Sequence, residues 1–418
     1  MKRLLKYFKK IEPDKTKNPF WFSLWESIFT FLFVPDVETS GTGTHIKDKM
    51  DLKRLMIFVV LGLVPAYIFG IYNIGHQHFL ALGQYTGFWE GWNLKFAHGL
   101  IKLVPILVVT MVVGLGWEIY FASKKKKGVE EGFFVSGFLI PLLMPPDIPL
   151  WILVLAVTFA VVLGKEVFGG TGMNIWNVAL LARVFIFFAY PLSISGDNVW
   201  VSGFDNIIAG IHPDYGWWHS GFFNTIFDWF GLDKFDSHMA IVDGFSGATP
   251  LAIAKDGGWD AVTQAFSTHD LLWGTIPGSI GETSKPLLIL GGLLILLTGI
   301  ADWRITISAV IGIIFSGLLF NLWGATPLMT IPWYYQFYLG GALLAIIFMA
   351  TDPVTAAGTF KGKWIYGFLI GVLGMLIRVI NPAYPEGWML AILFMNSFAP
   401  LIDHYIISNH IKKRLKSE

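Results

Sequence analysis

The sequence predicts an all-α polytopic membrane protein of about ten transmembrane helices, and three observations carry that expectation. Charged residues make up 14% of the 418 and hydrophobic ones 54%, whereas a soluble domain carries roughly 25% charged residues. Mean hydropathy is +0.60. Apolar runs near the ~20 residues needed to cross hydrocarbon recur along the chain. Lys and Arg cluster at alternate ends of these runs, as cytoplasmic segments do.

In chain order, residues 1–52 form an amino-terminal extension. Lys2, Arg3, Lys6, Lys9 and Lys10 are followed by Pro13 with no apolar core between, so no cleavable signal peptide is expected. The stretch FWFSLWESIF (20–29) is aromatic and amphipathic, suited to the headgroup level or to a partner surface. Five runs follow near 54–75, 99–122, 132–145, 149–165 and 177–193, giving a first five-helix unit over 53–193. The third and fifth are short, as half-helices or buried segments are. Residues 194–284 interrupt the apolar pattern, and five further runs near 285–301, 303–321, 333–351, 364–381 and 386–407 make a second unit over 285–407. A basic tail, 408–418, carries Lys412, Lys413, Arg414 and Lys416. Ten crossings put both termini, the Lys run 124–127 and the pair Lys361 and Lys363 on the cytoplasmic side, and leave 194–284 outside. An odd number of crossings per unit makes any repeat an inverted one. The breaks MPPDIP (144–149) and TDP (351–353) fall at matching places in the two units, as do the polar breaks GGTGMN (169–174) and NPAYPEG (381–387).

Ionisable groups inside spans are expensive, so each is a candidate site. Glu118 follows Gly114 near the end of the second run, either paired with the 124–127 lysines or functional. Glu130 and Glu131 are expected in solvent, and the neighbours Lys165 and Glu166 mark an interface. Asn174 and Asn177 share one face of a helical start; they suit the polar edge of a flavin ring, or cap the fifth helix. Asp352 and Asp403 offer the hard oxygen donors that cations choose, unless Asp352 caps a helix and Asp403 is solvated. Phe185, Phe187 and Phe188 lie beside Arg183, facing lipid, core or a quinone pocket. His76 and His78 have the wrong spacing for one helix face and are expected in a loop. With zero cysteines, no disulfide, thiolate zinc site or Cys-ligated iron–sulfur cluster can be built from this chain. Nothing in the near-neutral charge of +1 points to nucleic acid.

The segment DGFSGAT (243–249) is either a turn-rich loop or a functional one; it ends in a hydroxyl on a small, accessible stretch. Its residues Asp243, Ser246, Gly247, Ala248 and Thr249 resemble the acceptor sequence on which a flavin transferase esterifies FMN to threonine. Together with DLKRLMI (51–57), EGFFVSGFLIPLLMPP (131–146), KEVFGGTGMNIWN (165–177), RVFIFFAYP (183–191), IPGSIGE (276–282), FMATDPV (348–354) and IRVINPAYPEGWMLAILF (377–394), it makes almost the whole chain resemble the NqrB/RnfD family. Its closer likeness is to the B subunits of sodium-translocating NADH:quinone oxidoreductases. The D subunits of Rnf ferredoxin:NAD oxidoreductases are shorter and lack the amino-terminal extension.

The resemblance implies a urea-transporter-like fold of two inverted five-helix repeats in a bacterial inner membrane. It implies a six-subunit complex whose other members are of A, C, D, E and F type, and a flavin transferase for maturation. It implies covalent FMN on Thr249, noncovalent riboflavin at Asn174 and Asn177, and reduction of ubiquinone or menaquinone near Gly114, Glu118, Phe185 and Phe187. Na+ passage would involve Glu118, Asp352 and Asp403. Two departures stand out: 193–237 is lengthened around Trp217, Trp218 and His219, and the family's second glycine after Gly114 is Leu115 here. A passive channel or secondary transporter for a small polar solute suits the broken helices equally well.

Overall fold

The computed structural model describes residues 10–14, 18, 21–22, 25, 29, 52–125, 132–196, 199–203, 223–232, 247–381 and 387–416. The expectations for Asp243, Ser246, Glu130, Glu131 and the Trp217 region lie outside them, as does nearly all of the amino-terminal extension. The described residues are helical and contain no strand. The first unit comprises α1 (Leu52–Ala81), α2 (Trp92–Lys125), α3 (Phe133–Leu143), α4 (Leu150–Val162) and α5 (Val178–Ala189). After it come α6 (Phe223–Phe230), α7 (Pro250–Ala265) and α8 (Thr268–Trp273). The second unit comprises α9 (Lys285–Leu297), α10 (Trp303–Trp323), α11 (Ala342–Leu344, extended by a π turn over Ala345–Met349), α12 (Phe360–Ile380) and α13 (Trp388–Leu415). Six of these, among the described residues, are long and apolar enough to cross a membrane: α1, α2, α4 with the turn after it, α10, α12 and α13.

The expected run lengths are uneven in the right places and in two more. At 11 and 12 residues, α3 and α5 rise about 17 and 18 Å, well short of a ~30 Å hydrocarbon layer. The sixth run also stops early: α9 has 13 residues and ends where Gly299 takes φ 74°. The eighth run breaks into a 3-10 turn (Trp333–Phe337), α11 and its π turn, with Gly340 at φ 62° between them. Apolar composition reports depth, while positive-φ glycines decide continuity. His76 and His78 are a correction, because they lie inside α1 rather than in a loop. The helix continues through them because the fold packs both rings, His76 against Tyr72 and Phe88 and His78 against polar partners. His78 Nδ1 lies 2.7 Å from the Ser202 carbonyl, and its ring stacks on His98 at 3.9 Å.

Close packing holds the bundle together. A Cβ on Gly371 would sit 2.2 Å from the Ala309 carbonyl, and one on Gly367 2.4 Å from the Ile305 carbonyl, so α10 and α12 meet backbone to backbone. Likewise α1 crosses α9 where a Cβ on Gly291 would fall 1.8 Å from the Gly62 carbonyl. The contacts α2–α4 and α4–α5 recur as α10–α12 and α12–α13. One apolar core runs through both units, with Leu63, Ile140, Leu153, Ile186, Tyr366 and Ile392 fully or almost fully buried. A separate small core joins Leu251, Ala254 and Val262 of α7 to Leu328, Ile331 and Leu339, fixing α7 to the second unit.

Candidate functional site

Two cavities lie at opposite ends of α5. Asn177 opens that helix and Phe187 is near its end, ten residues on, which is about 15 Å along the axis.

The first cavity, about 390 Å³, is lined by Lys165, Asn174, Asn177, Ser136, Thr171 and Asp352 against apolar walls such as Leu139, Ile295 and Phe348. Its polar rim exists because three segments break at this depth, and irregular backbone survives in a membrane only where it lines such a space. Asn177 caps α5: its Oδ1 accepts from Ala179 N at 3.0 Å and Leu180 N at 3.2 Å. Asn174 precedes the helix, and its Nδ2 donates to the Trp176 carbonyl at 3.0 Å. The capping role expected as an alternative is therefore present at Asn177, and both side chains still face the cavity. Asp352 forms a turn of its own, its carboxylate accepting from Val354 N and Thr355 Oγ1, both at 3.1 Å.

Glu118 and Lys165 make an ion pair in which both side chains are 4% exposed. The sequence offers the 124–127 lysines as the partner of Glu118 and an interface for Lys165 and Glu166. Instead Lys165 turns inward to Glu118, while Glu166 accepts from Lys125 at 2.9 Å. Adjacent residues on a turn point in different directions, so neighbouring opposite charges need not pair. Gly114, one turn before Glu118, receives the Phe133 ring; a Cβ there would lie 1.9 Å from Phe133 Cζ.

Asp403 is not simply solvated. Its carboxylate accepts from Gly358 N (2.7 Å), Thr359 N (3.0 Å) and Thr359 Oγ1 (2.6 Å), tying α13 to the start of α12. Nearby, Asp302 caps α10 and accepts from Arg304 N at 2.9 Å and Lys363 Nζ at 2.7 Å. Burial alone would raise its carboxyl pKa. The Lys363 and Arg304 hydrogen bonds and charges outweigh that and hold it below the usual range.

The second cavity, about 210 Å³, surrounds Thr249. Thr249 is the N-cap of α7, accepting from Ala252 N at 3.2 Å, and Pro250 takes the first helical position, where its missing N–H costs nothing. Gly247 and Ala248 before it are buried, while Thr249 is half-buried and faces the cavity. The wall carries Arg183, Lys255, Lys285, Asp256 and Glu282, with Phe187 and Trp200. Phe187 thus belongs to this wall, whereas Phe185 packs on Phe159 at 4.9 Å and on Tyr190. The four residues grouped by the sequence as one quinone region are divided: Gly114 and Glu118 lie on α2, where Glu118 reaches the first cavity only through its partner Lys165, Phe187 lines the second cavity, and Phe185 lines neither.

Sequence reasoning missed Glu282 and Lys285 as cavity groups. The signal was present in a lysine opening an apolar helix directly after the IPGSIGE segment.

Comparison with known proteins places the chain in a family. A family model described as "NQR2, RnfD, RnfE family" matches residues 39–412. The chain is 42% identical over 417 residues to the B subunit of the Na(+)-translocating NADH-quinone reductase of Pseudomonas paraeruginosa, covering 94% of each chain. It is 41% identical over 431 residues to the protein of the same name from Chromohalobacter salexigens, covering 98% of this chain and 95% of that one. The Azotobacter vinelandii protein of that name is 42% identical over 418 residues, with 94% of each covered.

Proposed function

This chain belongs to the NQR2, RnfD, RnfE family, and from that premise we propose that it is the membrane redox subunit of a sodium-translocating NADH:quinone oxidoreductase. In this reading it works in a six-subunit complex of a bacterial inner membrane, with both termini cytoplasmic and the Thr249 segment outside. The units 53–193 and 285–407 are inverted five-helix repeats, which the recurrence of α2–α4–α5 contacts as α10–α12–α13 supports. Relatives named as B subunits align over 94% of both chains, which favours this reading over an Rnf D subunit.

The observation that carries the proposal is the setting of Thr249. Its hydroxyl caps the first stretch of α7, which runs to a kink at Gly258 (φ 66°), and opens onto a cavity with buried and exposed cations. A phosphoester on that oxygen meets the partial positive charge of a helix N-terminus, with Arg183 and Lys255 within the same wall. The residues therefore fit an FMN joined there by a flavin transferase. They also fit a noncovalent riboflavin at the first cavity. Its apolar walls and few converging polar groups are what such ligands need, and the Asn177 Nδ2 and Asn174 Oδ1 remain for a pyrimidine edge. Bound in these places, the flavins supply reversible electron transfer from a partner subunit's FMN towards the quinone substrate.

This chain's own side chains then have distinct tasks. Thr249 tethers, so that the exterior carrier stays within reach of a second site about 15 Å away along α5. Lys165 lines the first cavity with its charge closed by Glu118 behind it, so the ligand there meets no unbalanced charge from this pair. Asp352 and Asp403 supply anionic oxygens to sodium, the transported substrate. Any coupling requires that sodium interact differently with these carboxylates in the oxidised and reduced complex.

The test is a denaturing gel of membranes from cells containing the transferase, viewed for flavin fluorescence. A fluorescent band at the size of this chain that disappears in Thr249→Ala is expected. A dark wild-type band overturns the redox reading in favour of a passive transporter.

A further inference from the structure

We infer that Asn396 and Ser397 of α13 are positioning residues of the first cavity, fixing the donor and the acceptor that Asn177 and Asn174 present to the imide edge of a bound flavin. The inference rests on the riboflavin reading of that cavity and names what holds its polar groups in place.

Asn396 is 1% exposed and sits in a small buried network. In either orientation of its amide it meets Tyr366 Oη at 2.6 Å. One orientation serves every neighbour. In it Nδ2 donates to the Ile392 carbonyl at 3.2 Å and to Tyr366 Oη, and Oδ1 accepts from Asn177 N at 3.2 Å. Ser397 treats the preceding residue in the same way. Its Oγ accepts from Trp176 Nε1 at 2.8 Å and donates to the Leu393 carbonyl at 3.2 Å. Two consecutive residues of the second unit thus grip two consecutive residues of the first.

The grip falls where the chain needs one. Between the 3-10 turn Glu166–Phe168 and the start of α5 at Val178, no helical ladder fixes the backbone. Both cavity asparagines take their bearings from that backbone. Asn177 Oδ1 is committed to Ala179 N and Leu180 N, which leaves Nδ2 as a donor. Asn174 Nδ2 is committed to the Trp176 carbonyl at 3.0 Å, which leaves Oδ1 as an acceptor. The imide edge of an isoalloxazine carries N3–H between two carbonyls, so one donor and one acceptor in fixed register read it. With the backbone at Trp176 and Asn177 released, the two amides would turn freely and the register would be lost.

The experiment uses the assembled complex, made in cells containing the transferase and washed free of noncovalent flavin. The probes are riboflavin and 3-methylriboflavin, which lacks the N3 proton. Wild type should bind riboflavin at least about tenfold more tightly, because a site built around a hydrogen bond rejects the analogue without it. Asn396→Leu and Trp176→Phe should each weaken riboflavin several-fold and bring the two probes within about threefold of each other. Ser397→Ala should match Trp176→Phe, and the two together should lose no more than either, since both remove one bond. Ser397→Thr keeps the hydroxyl and stays near wild type. Gel filtration of the intact complex reports folding, and the Trp176 and Ser397 variants decide the matter should Asn396→Leu not assemble. Wild-type affinity and preference in Trp176→Phe and Ser397→Ala overturn the inference, as does an equal loss for both probes. A wild-type complex that takes up neither probe overturns the riboflavin reading itself.

Discussion

Breaking the Glu118–Lys165 pair from one side should cost far more than removing it whole. Both side chains are 4% exposed, so neither charge reaches bulk water. At ion-pair contact and an effective dielectric near 20, the attraction is about 4 kcal/mol. Desolvating the two groups offsets most of it, so the net value of the pair is small. Glu118→Gln leaves an ammonium buried against the first cavity, and Lys165→Met leaves a carboxylate there. Each is expected to lose roughly 3–5 kcal/mol. Glu118→Leu combined with Lys165→Met removes both charges and should fall within about 1 kcal/mol of wild type or exceed it. Tryptophan fluorescence during denaturant unfolding in mixed micelles gives the three differences on a common scale. The reasoning fails if either single variant is near wild type, or if the double loses the sum of the two singles.

Three further outcomes follow from the geometry. Gly371→Ala places a methyl 2.2 Å from the Ala309 carbonyl, which is backbone and cannot yield; a loss of about 1–3 kcal/mol is expected in the same unfolding assay. Asp403→Asn removes charge and acceptor capacity from a carboxylate holding Gly358 N and Thr359. Amide exchange at the start of α12 should accelerate at least several-fold, for a cap worth about 1–2 kcal/mol, and unchanged exchange refutes the tie. Asp302 has a carboxyl held below its usual range, so its stabilisation is complete above the unfolded value near ~3.9 and is lost as pH falls through the folded one. Asp302→Asn should therefore flatten the acid limb of stability measured below about pH 4, leaving the neutral range lowered and level.

Hydropathy made the membrane class and the apolar runs legible because burial in lipid selects composition over whole segments. Asn177 as a cap was legible too, because capping depends on near neighbours in sequence. Partners far apart in sequence were not. Glu118 meets Lys165 across 47 residues and Lys125 meets Glu166 across 41, so no local pattern announces either pair. The same limit hid the Thr249 cavity itself, to which Arg183, Thr249 and the Glu282–Lys285 segment come from separate parts of the chain. His78 looked like a loop residue because its partners, Ser202 and His98, are brought to it only by the fold.

The crossing of α1 and α9 leaves little freedom for large-scale rocking. With Gly62 and Gly291 already at backbone contact, sliding one helix along the other would drive a carbonyl into the opposing main chain. A transport cycle that swings one half of the bundle against the other would have to pull this weld apart and reform it at every turnover. Traffic through such a frame is better served by rotamers, waters and the short broken segments around a stationary spine.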